Sequence, residues 1–443
     1  MSVTVRAVVR GSVLLTFMTA ELLPTALLPV MAADLAVSEQ SIALLITVYA
    51  GVAAVLGVPM TIMVRRRSRR GVIIFCLLVL ALGQLTLALS PSVTVALVSR
   101  GVVGAVHTVV FALVPVVAAE LADQHRRSGA AGSTFIGTSV AMVAGVPLVA
   151  WLGQLLGWRA TAIALGVLAL GLAVGAGRVL PAGPARNKAG SARAGEVTGS
   201  ARAGEVTGSA RAGEVTGSAR AGEVTGSARN GDSGGDRRGR LVPPTRAPGN
   251  PGLIGSIATV VVLTVLAVGA VYLAYPFISL LADRRAGVGA TGFPLLLVAH
   301  GVLGVLAVLF VSRWIDRSRG RISVAILALL TISPLAVAFG SPAMVVLVLV
   351  LWGAPIASLP PMLHTDVSRR AGPAADVASS AYVVAFQVGI AGGSAIGAQV
   401  LQLYGLTSML VVAAAVGFVA LVFWAVFGRD GAVLPAVPRT RAS

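Results

Sequence analysis

The sequence predicts an all-α polytopic membrane protein: twelve transmembrane helices in two pseudo-symmetric six-helix bundles. Of its 443 residues, 56% are hydrophobic and only 11% are charged, whereas soluble domains carry about 25% charged residues. Twelve apolar stretches each supply the roughly 20 residues that a helix needs to cross a hydrocarbon layer. They fall into two blocks of six around one polar, basic segment. Two equal blocks of this kind are typical of membrane folds built from internal repeats.

The first block predicts spans at 9–33, 41–63, 71–90, 93–118, 130–153 and 158–180. The second block predicts spans at 254–281, 290–312, 321–340, 343–364, 376–400 and 406–428. The first stretch could instead be a signal peptide, because Arg6 and Arg10 precede an apolar run. Glu21 and two prolines inside that run, together with eleven further spans, favour a membrane helix.

The segment between the blocks, residues 181–252, is predicted to be a disordered linker. Within it, the nonapeptide Gly-Ser-Ala-Arg-Ala-Gly-Glu-Val-Thr occurs four times in succession, beginning at Gly190. One valine per repeat buries too little to offset the entropy of ordering it. The domains are then an N-terminal bundle at 1–180, a C-terminal bundle at 253–428 and a tail at 429–443. A docking role for the repeats is the alternative, and we expect deletion of 190–229 to leave the activity nearly intact.

The positive charge of the chain, +18 in total, predicts its orientation in the membrane. If both termini are cytoplasmic, all 34 Lys and Arg residues lie in or beside inside segments except Arg100, Arg159, Arg284 and Arg285. This is the positive-inside bias. The basic composition therefore indicates topology in the plasma membrane, and we expect no nucleic-acid partner.

Two charged residues, Glu21 and Arg100, lie deep inside predicted spans, where a charge is costly and marks a functional site by default. Glu21 is about twelve residues into the first span, which at 1.5 Å per residue places it near the midplane. Arg100, in the antiparallel fourth span, lies at a similar depth. If the two helices are neighbours, the side chains can pair. A carboxylate at this depth can take up and release a proton, and a static ion pair that fixes helix packing is the alternative.

Two histidines also lie in spans. His107 is two helical turns after Arg100, on nearly the same face, and can share a proton path because histidine titrates near neutrality. A bond to a main-chain carbonyl is the competing interpretation. His300 has no evident partner in the sequence, and Cys76 is alone and predicted to be a small buried hydrophobe. No set of side chains has metal-ligand spacing or a catalytic arrangement, so we expect no enzyme site, metal or cofactor.

Small residues mark the fifth and eleventh spans. Gly137, Gly145 and Gly153 allow close helix contact, and Pro147 removes a helical hydrogen bond. The eleventh span answers with a glycine-rich run that includes Gly392 and Gly393. Both spans end alike, in GQLLGWR at 153–159 and LQLYGLT at 401–407. The 248-residue separation of their last glycines, Gly157 and Gly405, indicates related halves.

Basic turns follow the second and eighth spans, as VRRRSRR at 64–70 and RWIDRSRGR at 313–321. Asp316 can cap a helix end or bridge to Arg317 or Arg321. Ordinary positive-inside turns are the simpler explanation, above all for 64–70.

At these residues the chain resembles the major facilitator superfamily, and within it the twelve-helix drug:proton antiporters of the chloramphenicol-resistance and sugar-efflux branch. The resemblance covers roughly 8–180 and 253–428. It rests on TAELLPTALLPVMAADL at 19–35, LVSRGVVGAVHTVVF at 97–111 and GTSVAMVAGVPLVAWLGQLLGWR at 137–159. It implies two bundles that rock around a central cavity.

The family's motifs are matched unevenly. Its loop motif, Gly-x-x-x-Asp-Arg-x-Gly-Arg-Arg, is damaged in the first half: Arg66, Arg69 and Arg70 match, but Arg65 stands at the acid. In the second half Asp316 and Arg317 match. The motif tied to proton coupling falls on Arg100 and Gly104, and the antiporter motif falls on Gly145, Pro147 and Gly153, with Val146 inserted. The resemblance implies that the loops gate the inside face.

The resulting prediction is proton-driven export of a small, mostly apolar organic compound by a monomer in the lipid bilayer. Glu21, Arg100 and His107 are the predicted coupling residues, and the glycines with Pro147 serve the conformational switch. Four polar or aromatic residues near mid-span are predicted to line the cavity: Phe17, Phe111, Tyr272 and Gln387. Sugar or nucleoside efflux, transport without protons, and a non-transporting receptor or scaffold are the alternatives.

Overall fold

The computed structural model describes residues 3–64, 67–120, 141–180, 251–371 and 375–428. Within these ranges only the backbone is described for residues 3–10, 115–116, 118–120, 142, 179, 251–254, 315–317 and 375–377. Gly137, Arg66 and the nonapeptide repeats lie outside the described residues, so their predicted roles stay predictions. Throughout the described ranges the elements are helical and no strand is found.

In the first half, the helices coincide with the predicted spans to within a few residues. The first four and the sixth are Val3–Asp34, Glu39–Val64, Arg69–Ala88, Val93–Glu120 and Gly157–Val179. The described part of the fifth is a π-helical turn, Ala141–Gly145, followed by the helix Val146–Leu155. Pro147 explains the change, since it has no N–H to continue the regular ladder.

In the second half, several spans are interrupted or joined. The seventh consists of Pro251–Ala274, a 3₁₀ turn at Tyr275–Phe277 and Ile278–Ala286. The eighth and ninth form Phe293–Phe339, with non-helical backbone at Ser318. The tenth is Pro342–Leu351 followed by Gly353–Ala371. The eleventh and twelfth form Ala375–Phe423, broken at Gly405 and ending in the π turn Trp424–Gly428.

Ten helices in the described part of the chain are long and apolar enough to cross a membrane. The longest, Ala378–Gly428, has 51 residues, enough for two crossings of about 20 residues, and Gly405 divides it where the sequence predicts. The shorter apolar helix Val143–Leu155 belongs to the fifth span. Large apolar side chains such as Val55 and Phe339, 71% and 72% exposed, face outwards. The predicted twelve-helix membrane fold is confirmed.

Internal pseudo-symmetry is visible in the backbone. Gly157 and Gly405 both have left-handed φ, +82° and +81°, a conformation that glycine adopts without steric cost. They are the two glycines that the sequence places 248 residues apart. Each turns the chain from one span into the next at corresponding points of the two halves.

Close helix packing repeats at a similar offset. A Cβ on Gly104 would strike the main chain of Tyr49, and one on Gly353 would strike the main chain of His300. The second and fourth spans therefore meet at the glycine of the fourth, and the eighth and tenth meet at the glycine of the tenth. Backbones approach this closely only where a side chain is missing.

We call the outer end of the molecule the side that the charge pattern predicts to face outside, with the turns at 35–38, 89–92, 156, 287–292, 340–341 and 405. The two halves touch there. Arg284 Nη2 lies 3.1 Å from Glu39 Oε2, and Ser394 Oγ donates to the carbonyl of Ala43 at 3.2 Å. The outer end is thus bridged between the halves.

Each half also has an arginine at this end that caps a helix. In the first half, Arg159 pairs with Asp34 at 2.8 Å and donates to the carbonyl of Ala88 at 2.7 Å. In the second half, Arg285 donates to the carbonyl of Ala338 at 2.9 Å and to Thr407. Both arginines satisfy a carbonyl that the end of a helix leaves without an internal donor.

Candidate functional site

The site surrounds a break in the hydrogen bonding of the first membrane-spanning helix. Pro24 lacks the N–H that would bond the carbonyl of Ala20, and the helix leaves regular geometry at Leu27 (φ −120°, ψ 18°). Arg100 of the fourth span fills the gap: Nη1 donates to Ala20 O at 2.9 Å and Nη2 to Glu21 O at 2.8 Å. A bidentate guanidinium therefore takes the place of a missing main-chain donor.

This geometry differs from the expected pair between the side chains of Glu21 and Arg100. The two helices are neighbours at the predicted depth, but the guanidinium binds the main chain, and no ion pair within 4 Å joins it to the carboxylate. The reason is that freed carbonyls in a membrane helix need a donor, and Arg100 is the donor in reach. The carboxylate of Glu21 is left to face another group.

That group is His107. Its Nε2 lies 3.7 Å from Glu21 Oε2, and both side chains are buried. On the other side of the ring, Nδ1 lies 2.7 Å from the Tyr49 hydroxyl. A carboxylate beside Nε2 favours the tautomer with hydrogen on that nitrogen, which leaves Nδ1 to accept from Tyr49. Tyr49, His107 and Glu21 thus form a buried row of titratable groups.

Tyr49 also holds Arg100 in place, since the guanidinium carbon lies 4.3 Å from the centre of its ring, a cation–π contact. Tyr49 is not among the residues predicted from the sequence. A lone tyrosine in an apolar span carries no signal by itself. The only available clue was Gly104, which brings the main chain of Tyr49 against the fourth span.

Two predicted cavity residues adjoin the row. Phe111 stacks on His107 with ring centres 4.3 Å apart, and Phe17 meets the same ring edge-on at 6.3 Å. Phe17 is fully buried, while Phe111 is partly accessible. The first-half residues singled out for coupling and for the cavity therefore form one cluster.

The two second-half cavity candidates lie in the seventh and eleventh spans. Tyr272 is buried and within electrostatic range of the Glu21 carboxylate, which links the site to the second half. Gln387 is 3% exposed, and its Oε1 has no hydrogen-bond partner among the described residues.

The switch residues differ in their contacts. A Cβ on Gly145 would strike Thr19 of the first span, and one on Gly153 would strike Leu27. A Cβ on Gly393 would strike the main chain of Gly269 in the seventh span, whereas a Cβ on Gly392 would meet nothing. Three of these four glycines therefore allow a neighbouring helix to pack closely, and Gly392 makes no such contact.

The gating-loop residues are only partly visible. Arg69 and Arg70 begin the third span, and Asp316 and Arg317 lie in helical backbone whose side chains are not described. Nearby, the carboxylate of Asp366 accepts from Arg319 and lies 3.2 Å from Arg370 Nε. Sequence reasoning missed Asp366, although its spacing of four residues from Arg370 is a signal that it could have used.

Chemically, the site offers one buried carboxylate, one fixed guanidinium and two further proton-exchanging groups. No group of three or more His, Cys, Asp or Glu that could hold a metal occurs in the described part of the chain. A buried carboxylate beside an imidazole can bind and release a proton, and such a change of charge would be felt by Tyr272 of the second half.

Comparison with known proteins agrees with this architecture. The family model for the Major Facilitator Superfamily matches residues 11–220. A chloramphenicol efflux pump of Mycobacterium tuberculosis is 30% identical over 390 residues, covering 86% of this chain and 82% of that protein. A probable sugar efflux transporter of Mannheimia succiniciproducens is 27% identical over 422 residues, covering 95% and 92%.

Among solved structures, a bacterial homolog of the human lysosomal transporter Spinster, in an inward-facing and unoccupied conformation, superposes with a TM-score of 0.70. The alignment covers 98% of this chain and 100% of that one at 13% sequence identity. At that identity the likeness concerns the fold alone.

Proposed function

Because the chain belongs to the major facilitator superfamily, we propose that it exports a small, mostly apolar organic compound in exchange for protons. It acts as a monomer in the plasma membrane, with both termini in the cytoplasm. The two halves rock about the midplane and open the site to each side in turn. Relatives named as chloramphenicol and sugar efflux proteins support export as the direction.

The observation that carries the proposal is the Glu21 carboxylate, 3% exposed and facing His107 beside the break in the first span. An ionised acid buried without a directly paired cation is costly, and intramembrane acids of this kind are typical of proton relays. Arg100 keeps a permanent positive charge nearby without neutralising the carboxylate by contact. Glu21 can therefore hold a proton in one state and release it in the other.

Each role follows from position. Glu21 carries the proton, and His107 with Tyr49 passes it along the buried row. Arg100 joins the first and fourth spans, so that a change of charge on Glu21 acts on both helices. Gly145, Gly153 and Gly393 let the helices slide closely past one another, and Phe17 and Phe111 face the compound.

The test is Glu21→Gln in inverted membrane vesicles with an imposed pH gradient and radiolabelled chloramphenicol as the probe. The wild type should accumulate the probe, and E21Q should lose gradient-driven accumulation because an amide cannot exchange the proton. Glu39→Gln, the same change at the outer end, is the matched control and should keep most activity. Full activity of E21Q would place the coupling elsewhere, and no accumulation by the wild type would refute export of this compound.

Sugar efflux is the second candidate, because the similarity to a probable sugar efflux transporter extends over 95% of the chain. A sugar needs many hydrogen-bond partners, whereas the first-half cluster is mostly aromatic. The same vesicles, supplied from outside with radiolabelled arabinose, decide between the two: gradient-driven accumulation of arabinose in place of chloramphenicol would favour the sugar.

A further inference from the structure

A second buried cluster lies in the other half, where two interrupted helices meet the eighth span. The seventh span is broken at Tyr275–Phe277, because Pro276 cannot donate to the helix. The tenth is broken at Trp352, three residues before another proline, Pro355. Interrupted helices that meet at mid-depth are where transporters of this kind place ligands.

The members of this second-half cluster are Tyr275, His300 and Trp352, all at most 2% exposed. The ring of Tyr275 is next to both of the others, with centre-to-centre distances of 5.9 Å to His300 and 6.4 Å to Trp352. Gly353 keeps His300 and Trp352 together, since a Cβ there would strike the carbonyl of His300. Tyr272 continues the aromatic surface, 5.9 Å from Tyr275.

Hydrogen bonding fixes the chemical character of His300. Its Nδ1 lies 2.7 Å from the carbonyl of Leu349, which can only accept, so Nδ1 carries the hydrogen. In the neutral ring Nε2 is then a bare acceptor. That nitrogen has no hydrogen-bond partner among the described residues.

Trp352 presents the opposite group. Its indole Nε1 can only donate, and it too has no partner in the described part of the chain. Buried tyrosine and tryptophan side chains normally find a partner for their polar atom. One free donor and one free acceptor, beside the same aromatic ring and both almost fully buried, form a pair that a ligand can satisfy.

We propose that Tyr275, His300 and Trp352 are a substrate-binding subsite for an uncharged aromatic compound that carries both a hydrogen-bond acceptor and a hydroxyl or amide N–H. The aromatic body packs against Tyr275 and Tyr272, the acceptor takes the Trp352 N–H, and the donor bonds His300 Nε2. This inference rests on the proposed export function and names its substrate class.

The surroundings exclude other substrate classes. None of the hydrogen bonds, ion pairs or ring contacts that the structure describes brings a charged side chain to Tyr275, His300 or Trp352, so an organic ion would have no counter-charge in contact with it there. The carboxylate of Glu21 acts on Tyr272 only at a distance. A sugar would bring many more hydroxyls than the single donor and single acceptor can satisfy, and each buried polar group left unpaired weakens binding.

The test measures equilibrium binding of radiolabelled chloramphenicol, an uncharged aromatic amide with hydroxyl groups, to the purified full-length protein without a pH gradient. Trp352→Phe keeps a ring and removes the N–H. His300→Asn keeps a donor for Leu349 and removes the acceptor at Nε2. Trp314→Phe, at an exposed tryptophan on the eighth span, is the matched control.

The dissociation constant should rise roughly fivefold to tenfold in each of W352F and H300N, the effect of one lost hydrogen bond, and stay unchanged in W314F. Size-exclusion profiles establish that the variants are folded. Wild-type affinity in both variants, no saturable binding by the wild type, or tighter binding of arabinose would overturn the subsite. Since no gradient is applied, failure of proton-driven export with these binding changes intact would count against the proposed function alone.

Discussion

At the scale of single residues, the arginine in the fourth span binds main-chain carbonyls and makes no direct ion pair with the nearby carboxylate of Glu21. Arg100 donates to the carbonyls of Ala20 and Glu21 because Pro24 leaves the first of them without a helical donor. Both terminal nitrogens of the buried guanidinium thereby have acceptors, while Nε has no hydrogen-bond partner among the described residues. The carboxylate of Glu21 stays available to His107.

A double-mutant cycle tests this account. Arg100→Lys should lower the stability of the protein by about 2 kcal/mol, because a lysine cannot span both carbonyls and charge-assisted bonds are lost. With Pro24→Ala present, the new N–H can bond Ala20 O, and the penalty for R100K should fall by about half. Apparent melting temperatures in detergent provide the measurement. Equal penalties in the two backgrounds would show that Pro24 does not create the need for Arg100.

The tyrosine in the buried row has its own test. Tyr49→Phe removes the hydroxyl beside His107 Nδ1 and should slow gradient-driven export roughly fivefold, equivalent to about 1 kcal/mol. Tyr404→Phe, at a tyrosine 70% exposed, should change nothing. Transport rates in inverted vesicles, normalised to inserted protein, decide the matter, and an unaffected Y49F would remove Tyr49 from the proton path.

At the scale of helices, glycine decides which spans pack closely. Gly104 and Gly353 bring two pairs of helices together at main-chain distance, and Gly145 and Gly393 bring the fifth and eleventh spans against the first and seventh. Each contact in one half has a counterpart in the other. The positions of the glycines, which have no side chain, therefore determine where the helices approach most closely.

Two adjacent glycines allow a matched comparison. Gly393→Ala should destabilise the protein by about 1–3 kcal/mol, since its Cβ would collide with the main chain of Gly269 and overpacking carries that cost. Gly392→Ala should be neutral, because the space around it is open. Thermal unfolding in detergent and export assays should separate the two, and equal effects would contradict the contact described for the eleventh span.

The helices could be predicted because each contains its own long apolar stretch. The turn at Gly405 could be predicted because Gly157 occupies the same position in the first half. Sequence reasoning placed Glu21, Arg100 and His107 together from depth and helical phase. It could not give the partners within that cluster, since the effect of Pro24 on a main-chain acceptor becomes specific only when the neighbouring helix is in place. Tyr275 and Trp352 were not predicted for a related reason. No local sequence pattern distinguishes an aromatic residue of the core from one that lines a binding site, because the difference depends on neighbouring helices.

At the scale of the whole molecule, the two halves meet at the outer end through the pair of Arg284 and Glu39 and the bond from Ser394 to Ala43. The ion pair is exposed, and such pairs contribute only about 0–1 kcal/mol. A weak contact suits a junction that, in the proposed transport cycle, separates and re-forms.

Crosslinking tests whether the outer end must open. In a chain whose single cysteine, Cys76, is replaced by alanine, cysteines at Glu39 and Arg284 joined by a bifunctional thiol reagent should abolish export. Cysteines at Asp34 and Arg159, which pair within one half, are the control and should leave most activity after the same treatment. Normal export with the 39–284 crosslink in place would contradict alternating access through this end.

The two capping arginines also bear on the ancestry of the chain. The carbonyls that they bind, those of Ala88 and Ala338, lie 250 residues apart and occupy corresponding positions. The arginines do not correspond, because Arg159 is near the start of the sixth span and Arg285 is near the end of the seventh. Thr407, not an arginine, stands where the repeat places the counterpart of Arg159. The unmet carbonyl is thus common to both halves, whereas its donor comes from a different helix in each. Transplanting this corner from one half to the other would therefore fail unless both helices that flank the carbonyl moved together.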